Sequence, residues 1–337
     1  MPGDYIDKIL RDMEWDDTRA DGSTELGRLV TLGLAKKLLL GLAQTPTTTS
    51  LHPDSRHDHR RLQPHPRPLR DQPPPLTLPP ALPKDTATLS KAKLSHVFAS
   101  GVAYLKFYKT GIKHIYTNTR LLYSSSSTTN PDTLAHRPDP STRAHLHLRL
   151  RWRHDVRRLP LFALILVVCG EFTPLVVLAL PGAVPLPCRI PRQVEKLLGR
   201  VEGRRREGRD EVGAAVAATT GGAVEPSVVA WGKILGLPSH AWTPGFVLAS
   251  RVERRLRFLA VDDGLLVQSS GAKGLVAEEV RLACADRGVD VLGRGEDELR
   301  AVLGLWLRST DARRLGEEGR EKAVRRLLLA KDSEWAA

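Results

Sequence analysis

The run LPLFALILVVCGEFTPLVVLAL, from Leu159 to Leu180, is far more apolar than anything around it and limits what the chain can fold into. Its length, about 22 residues, gives a helix of roughly 33 Å, enough for one membrane crossing. Arg143, Arg149, Arg151, Arg153, Arg157 and Arg158 lead into it, and Arg189, Arg192 and Lys196 follow. Basic residues on both sides suit anionic headgroups without fixing an orientation. Two residues disturb the run. Glu171 carries a carboxylate that is costly to desolvate in hydrocarbon. Pro174 lacks the N–H that the carbonyl of Gly170 would otherwise receive, which predicts a kink or a break. The alternative is a buried helical hairpin with Glu171 near its bend; the apolarity and the basic flanks favour the membrane span.

The formal net charge of +13 implies attraction to an anionic partner, either lipid headgroups or RNA. Cys169, Cys188 and Cys284 are widely separated and odd in number, which argues against a disulfide scaffold or a closed zinc site. No phosphate-cradling GxxxxGK[ST], strand-linked GxGxxG, HExxH, ordered EF-hand loop or nucleophile elbow occurs. The chain therefore reads as a non-enzyme, with no catalytic, cofactor or metal residues predicted. His52, His57, His59 and His65 are scattered among prolines that cannot fix a metal geometry. Asp4, Asp7, Asp12, Glu14, Asp16, Asp17, Asp21 and Glu25 make the start acidic, unlike a basic, acid-poor mitochondrial presequence.

Periodicity and composition divide the chain into seven segments. These are an acidic start with a short amphipathic helix (1–43), a Pro/His-rich linker expected to be disordered (44–90), an amphipathic helix (91–123) and a Ser/Thr/Pro linker (124–142). A basic lead-in with the transmembrane segment (143–189), a helical domain (190–312) and a charged C-terminal helix (313–337) follow. Two basic clusters in the helical domain are candidate contacts for an anionic partner: Arg204, Arg205 and Arg206, and then Arg251, Arg254, Arg255 and Arg257. The second lies on a helix opened by Thr243 and Pro244, whose apolar face is outlined by Phe246, Val247, Val252, Leu256 and Leu259. A solvated helix face is the equal alternative. Asp262 and Asp263 read as helix termination or surface charge, since adjacency alone gives no calcium geometry. Residues 275–310 form a predicted helical hairpin with Val280, Leu282, Ala283, Leu299, Leu303 and Trp306 on its apolar face.

Three stretches together resemble the LETM family of mitochondrial inner-membrane proteins: RRLPLFALILVVCGEFTPLVVLALPGAVP, LGLPSHAWTPGFVLASRVERRLRFLAVDDGLL and LVAEEVRLACADRGVDVLGRGEDELRAVLGLWL. GVAYLKFYKTGIKHIYTNTRLL is similar to the helix preceding the span in that family, so the likeness covers roughly residues 91–310. The resemblance implies an all-α fold, one transmembrane helix followed by a 14-3-3-like helical domain, in a single-pass protein of the mitochondrial inner membrane whose C-terminal domain faces the matrix. It implies binding of the mitochondrial ribosome, its large subunit, in support of translation or insertion of inner-membrane proteins, and a link to ion homeostasis. Glu171 and Pro174 would carry over to the span motif; the arginines from Arg251 to Arg257, with Asp262 and Asp263, match the second motif without assigned roles. Anionic inner-membrane lipid and a homo-oligomer are further expected partners. The rival functions are a potassium/proton exchanger, in which an oligomer would gather several Glu171 side chains, and a lipid-associated organiser of the inner membrane. The Pro/His-rich insert and the acidic start depart from the family, as does the lack of the EF-hand and coiled-coil extension found in some members.

Overall fold

In a computed structural model, residues 77–79, 94–123, 139, 141–170, 173–218, 225–240 and 242–335 are described. The acidic start and its short helix, most of both linkers, and Glu171 lie outside them. Every regular element among the described residues is helical, in agreement with the all-α expectation. The chain forms two compact units.

One unit contains α1 (Leu94–Tyr123), α2 (Arg143–Cys169) from Ala144 onward, and α3 (Thr173–Ala179), then two short 3-10 turns at Pro181–Ala183 and Leu186–Cys188. Tyr108, Ile112 and Ile115 of α1 are fully buried with Leu159 and Phe162 of α2 and Val177 of α3. Tyr108 meets Phe162 edge to face, ring centroids 5.5 Å apart, an arrangement that matches ring quadrupoles. Asp155, buried on α2, accepts from the backbone N–H of Leu186 at 2.7 Å and lies 3.1 Å from Nδ1 of His154. It thereby ties the proline-rich turn to the helix.

The membrane span predicted at Leu159–Leu180 is corrected by this arrangement. The helix ends at Cys169, the backbone turns left-handed at Gly170 (φ 51°), and a new helix begins at Thr173 with Pro174 in its first turn. The Thr173 hydroxyl donates to the Gly170 carbonyl at 2.6 Å, supplying the partner that Pro174 cannot. The apolar part of α2 after Leu159 rises about 16 Å and α3 about 10 Å, short of the roughly 30 Å of a bilayer core. Among the described residues no helix is long and apolar enough to cross a membrane. The transmembrane helix, the single-pass inner-membrane topology, the membrane-anchored form of the function and the exchange built on Glu171 all rest on that span and are withdrawn with it.

The other unit holds Ser141–Arg143 and everything described from Pro191 onward: α4 (Pro191–Ala218), α5 (Val228–Ile234), α6 (Gly245–Gln268), α7 (Ala277–Asp286), α8 (Glu296–Ser309) and α9 (Ala312–Leu329), with a 3-10 turn at Gly271–Gly274. Ser227 caps α5 by accepting from the N–H of Ala230 at 3.1 Å, and Glu296, Asp297 and Glu298 occupy the first turn of α8, where carboxylates favour the helix dipole. Leu248, Val252, Leu256 and Leu259 form the buried stripe of α6. Opposite Val280 and Ala283 of α7 stand Leu299, Leu303 and Trp306 of α8, all buried, with Leu282 half-buried. Phe246, expected on the apolar face of α6, is instead 78% exposed. Six residues separate it from Val252, which turns it about a third of a revolution off the stripe.

Candidate partner-binding surface

The helical domain is built around a cluster of buried charge. Arg287, at the end of α7 and 1% exposed, donates to Asp263 from Nε at 3.0 Å and to Asp262 from Nη2 at 2.8 Å. Nε of Arg143 donates to the other oxygen of Asp262 at 2.7 Å, and its Nη1 lies 3.6 Å from the buried Glu279 carboxylate. The indole N–H of Trp306 sits 3.1 Å from both oxygens of Asp263, and Arg320 of α9 approaches the same carboxylate at 3.5 Å. Burial alone would pull the Arg287 pKa down, yet the adjacent Asp263 and Asp262 hold it above the ordinary arginine value. Three guanidiniums and three carboxylates, from Arg143, Arg287, Arg320, Asp262, Asp263 and Glu279, thus converge in one core. Asp262 and Asp263 are therefore neither surface charge nor helix-terminating residues; they lie inside α6 and are buried.

The predicted basic clusters are drawn into the same architecture. Arg205 is buried, donates to the carbonyl of Ala285 at 2.5 Å, and has its pKa pushed down to about 10 by burial, against the pull of Glu202. Arg206 is exposed and joins Glu202 at 3.2 Å and Asp290 at 3.0 Å. Arg255 meets Asp286 at 2.6 Å and lies over the ring of Phe258, 5.0 Å from its centroid. Arg254 is half-buried and Arg257 exposed. Arg204 donates to the carbonyls of Leu237 at 3.0 Å and Gly236 at 3.4 Å, and Arg251 to that of Pro238 at 2.9 Å. Arg209 donates to the carbonyls of Gly288 and Leu328, and Arg300 to those of Ala272 and Leu275. The recurring role is a guanidinium fork that satisfies carbonyls at helix ends and turns. Of the two span residues, Pro174 lies in α3 and Glu171 outside the described residues.

What the surface offers is a loop. Gly236, at φ 67°, ends α5, and Leu237 donates back to the carbonyl of Gly232 at 2.9 Å, a left-handed helix stop. Arg204 and Arg251 hold the carbonyls of Gly236, Leu237 and Pro238 from α4 and α6. The backbone N–H of His240 donates to the hydroxyl of Thr243 at 2.9 Å. Beyond this base the His240 imidazole stacks on the Trp242 indole, centroids 5.4 Å apart and planes inclined by 5°, with Trp242 80% exposed. Phe246 stands exposed where α6 begins.

The match with known families falls on this region. Residues 224–315 match the LETM1-like RBD family. The resemblance read from the sequence is shown there, over α5 to α8 and the loop between α5 and α6. No curated protein and no solved structure matches the chain. Sequence reasoning passed over His240, Trp242 and Arg287, and placed Trp306 on the apolar face without its bond to Asp263. The available signal was a tryptophan in a Pro-flanked loop, out of step with any apolar period.

Proposed function

We propose that this chain is a non-enzymatic ribosome-associated protein whose LETM1-like RBD docks on the mitochondrial ribosome, at its large subunit. The family match over residues 224–315 carries this reading. The architecture is compatible with it: a rigid domain, locked by a buried charge network, offers one loop with two exposed aromatic rings. A preorganised surface loses less freedom on binding than a floppy one. The domain binds through this face and needs no membrane-crossing helix to do so.

Sedimentation of the full chain with purified mitochondrial ribosomes tests the proposal. The chain should travel with the large subunit under low-salt conditions. Recovery of all of it at the top of the gradient would exclude the reading.

A further inference from the structure

The loop between α5 and α6 combines two features that rarely coincide on a surface built for solubility. The first is unpaired aromatic area. Trp242 is 80% exposed and Phe246 78% exposed, and the imidazole of His240 is parallel to the indole at 5.4 Å, so the indole is braced on one face and open on the other. The second is charge that no carboxylate among the described residues pairs with. Several other arginines of the domain are met by acid, as in Arg206 with Asp290 or Arg255 with Asp286. At this loop Arg204 and Arg251 donate to the backbone carbonyls of Gly236, Leu237 and Pro238, and a carbonyl hydrogen bond positions a guanidinium without cancelling its charge.

Between residues 224 and 315 there are thirteen Lys and Arg against twelve Asp and Glu, so the domain has no general basic field. A duplex gripped by its phosphates needs such a field. An unpaired base needs less: an open aromatic face to stack on, and cationic groups close by for the backbone that carries it.

We propose that His240, Trp242 and Phe246, with Arg204 and Arg251 behind them, form a stacking platform for an unpaired stretch of RNA. The indole takes the face of a base, Phe246 serves a neighbouring base, and the two guanidiniums supply positive potential to the two phosphates beside them. This inference rests on the ribosome-docking reading, and it names unpaired ribosomal RNA as the surface the RBD meets.

The test uses the full chain and a fluorescein-labelled oligoadenylate of about ten nucleotides, read by anisotropy, with a duplex RNA of equal length as comparison. The single strand should bind more tightly than the duplex. Trp242→Ala should weaken it by about tenfold or more, the scale of one lost base stack. Trp242→Phe should recover most of the binding, because it keeps a ring. Trp242 is exposed, so both variants should keep the wild-type circular dichroism and melting temperature, and a shared loss of fold would be visible there. Absence of oligoadenylate binding, or equal affinity of wild type and Trp242→Ala, overturns the proposal. If ribosome sedimentation then persists and depends on Trp242, the loop meets a ribosomal protein. If sedimentation persists without Trp242, another face docks. If oligoadenylate binds through Trp242 while ribosomes do not, the RNA contact stands and the ribosome as its source falls.

Discussion

Arg287 has its whole guanidinium committed. Asp263 and Asp262 take its Nε and Nη2, and Nη1 donates to the carbonyl of Ala283 at 2.9 Å. Replacing Arg287 with Met leaves two buried carboxylates short of a partner, and breaking such a pair from one side costs about 3–5 kcal/mol. Chemical unfolding of Arg287→Met should therefore show a loss on that scale; a change smaller than the measurement error would mean that water reaches the cluster. Trp306→Phe keeps a buried aromatic ring but is smaller, and it removes the N–H that lies 3.1 Å from both oxygens of Asp263. It should cost about 1–3 kcal/mol, readable in the same titration. The sequence announced an acidic pair at 262 and 263 but could not announce its burial. Their partners are 24 residues downstream at Arg287, 43 at Trp306 and 119 upstream at Arg143, and no helical period relates positions so far apart.

Among elements, the helices of the C-terminal half were legible because each carries its own signal. Val252, Leu256 and Leu259 repeat at helical spacing and are buried, as are Val280, Ala283, Leu299, Leu303 and Trp306 of the hairpin. The apolar run at 159–180 misled for the opposite reason. Hydropathy is read over a window, whereas the fold is decided at Gly170, Thr173 and Pro174, where the helix stops and restarts. The loop of the candidate site depends on a similar stop. Gly236 takes φ 67°, and a Cβ built there would lie 2.7 Å from Cγ1 of Val201. Gly236→Ala thus meets both a disfavoured backbone and a clash, and should cost about 1–3 kcal/mol. Thermal unfolding checks the cost. Single-strand RNA binding should also weaken in this variant, while it would be unchanged if the loop held its course without the glycine.

At the scale of the whole molecule, acid should loosen the unit that contains α1 and α2. Burial lowers the pKa of both His154 and His114 from the usual 6.5, with a hydrogen bond to Asp155 opposing the shift at His154. A histidine that resists protonation when folded contributes stability that is fully present above pH 6.5. That contribution fades as the pH falls, because the unfolded chain takes up the proton first. Asp155, whose pKa is raised by burial from 3.8, acts in the other direction over the window above that value. The double variant His114→Gln, His154→Gln should therefore keep more of its melting temperature than the wild type between about pH 7 and about pH 5. Parallel curves would show that both histidines take up protons alike in the folded and the unfolded chain. The LETM1-like RBD match over residues 224–315 was legible in the second and third motifs, whereas the membrane topology attached to the first was not retained.

The central claim is that most of the arginine-rich motifs hold the domain together, while the aromatic loop, with Arg204 and Arg251 behind it, meets the partner. The salt dependence of binding to purified large subunits tests it most directly, because each released counterion leaves its mark on the slope. With Arg204 and Arg251 as the cations that serve the contact, the slope of log affinity against log salt should be close to that of two phosphates on a single strand, about −1.4. A slope of about −5 or steeper would mean that many more guanidiniums reach phosphate, and that the basic motifs face the partner after all.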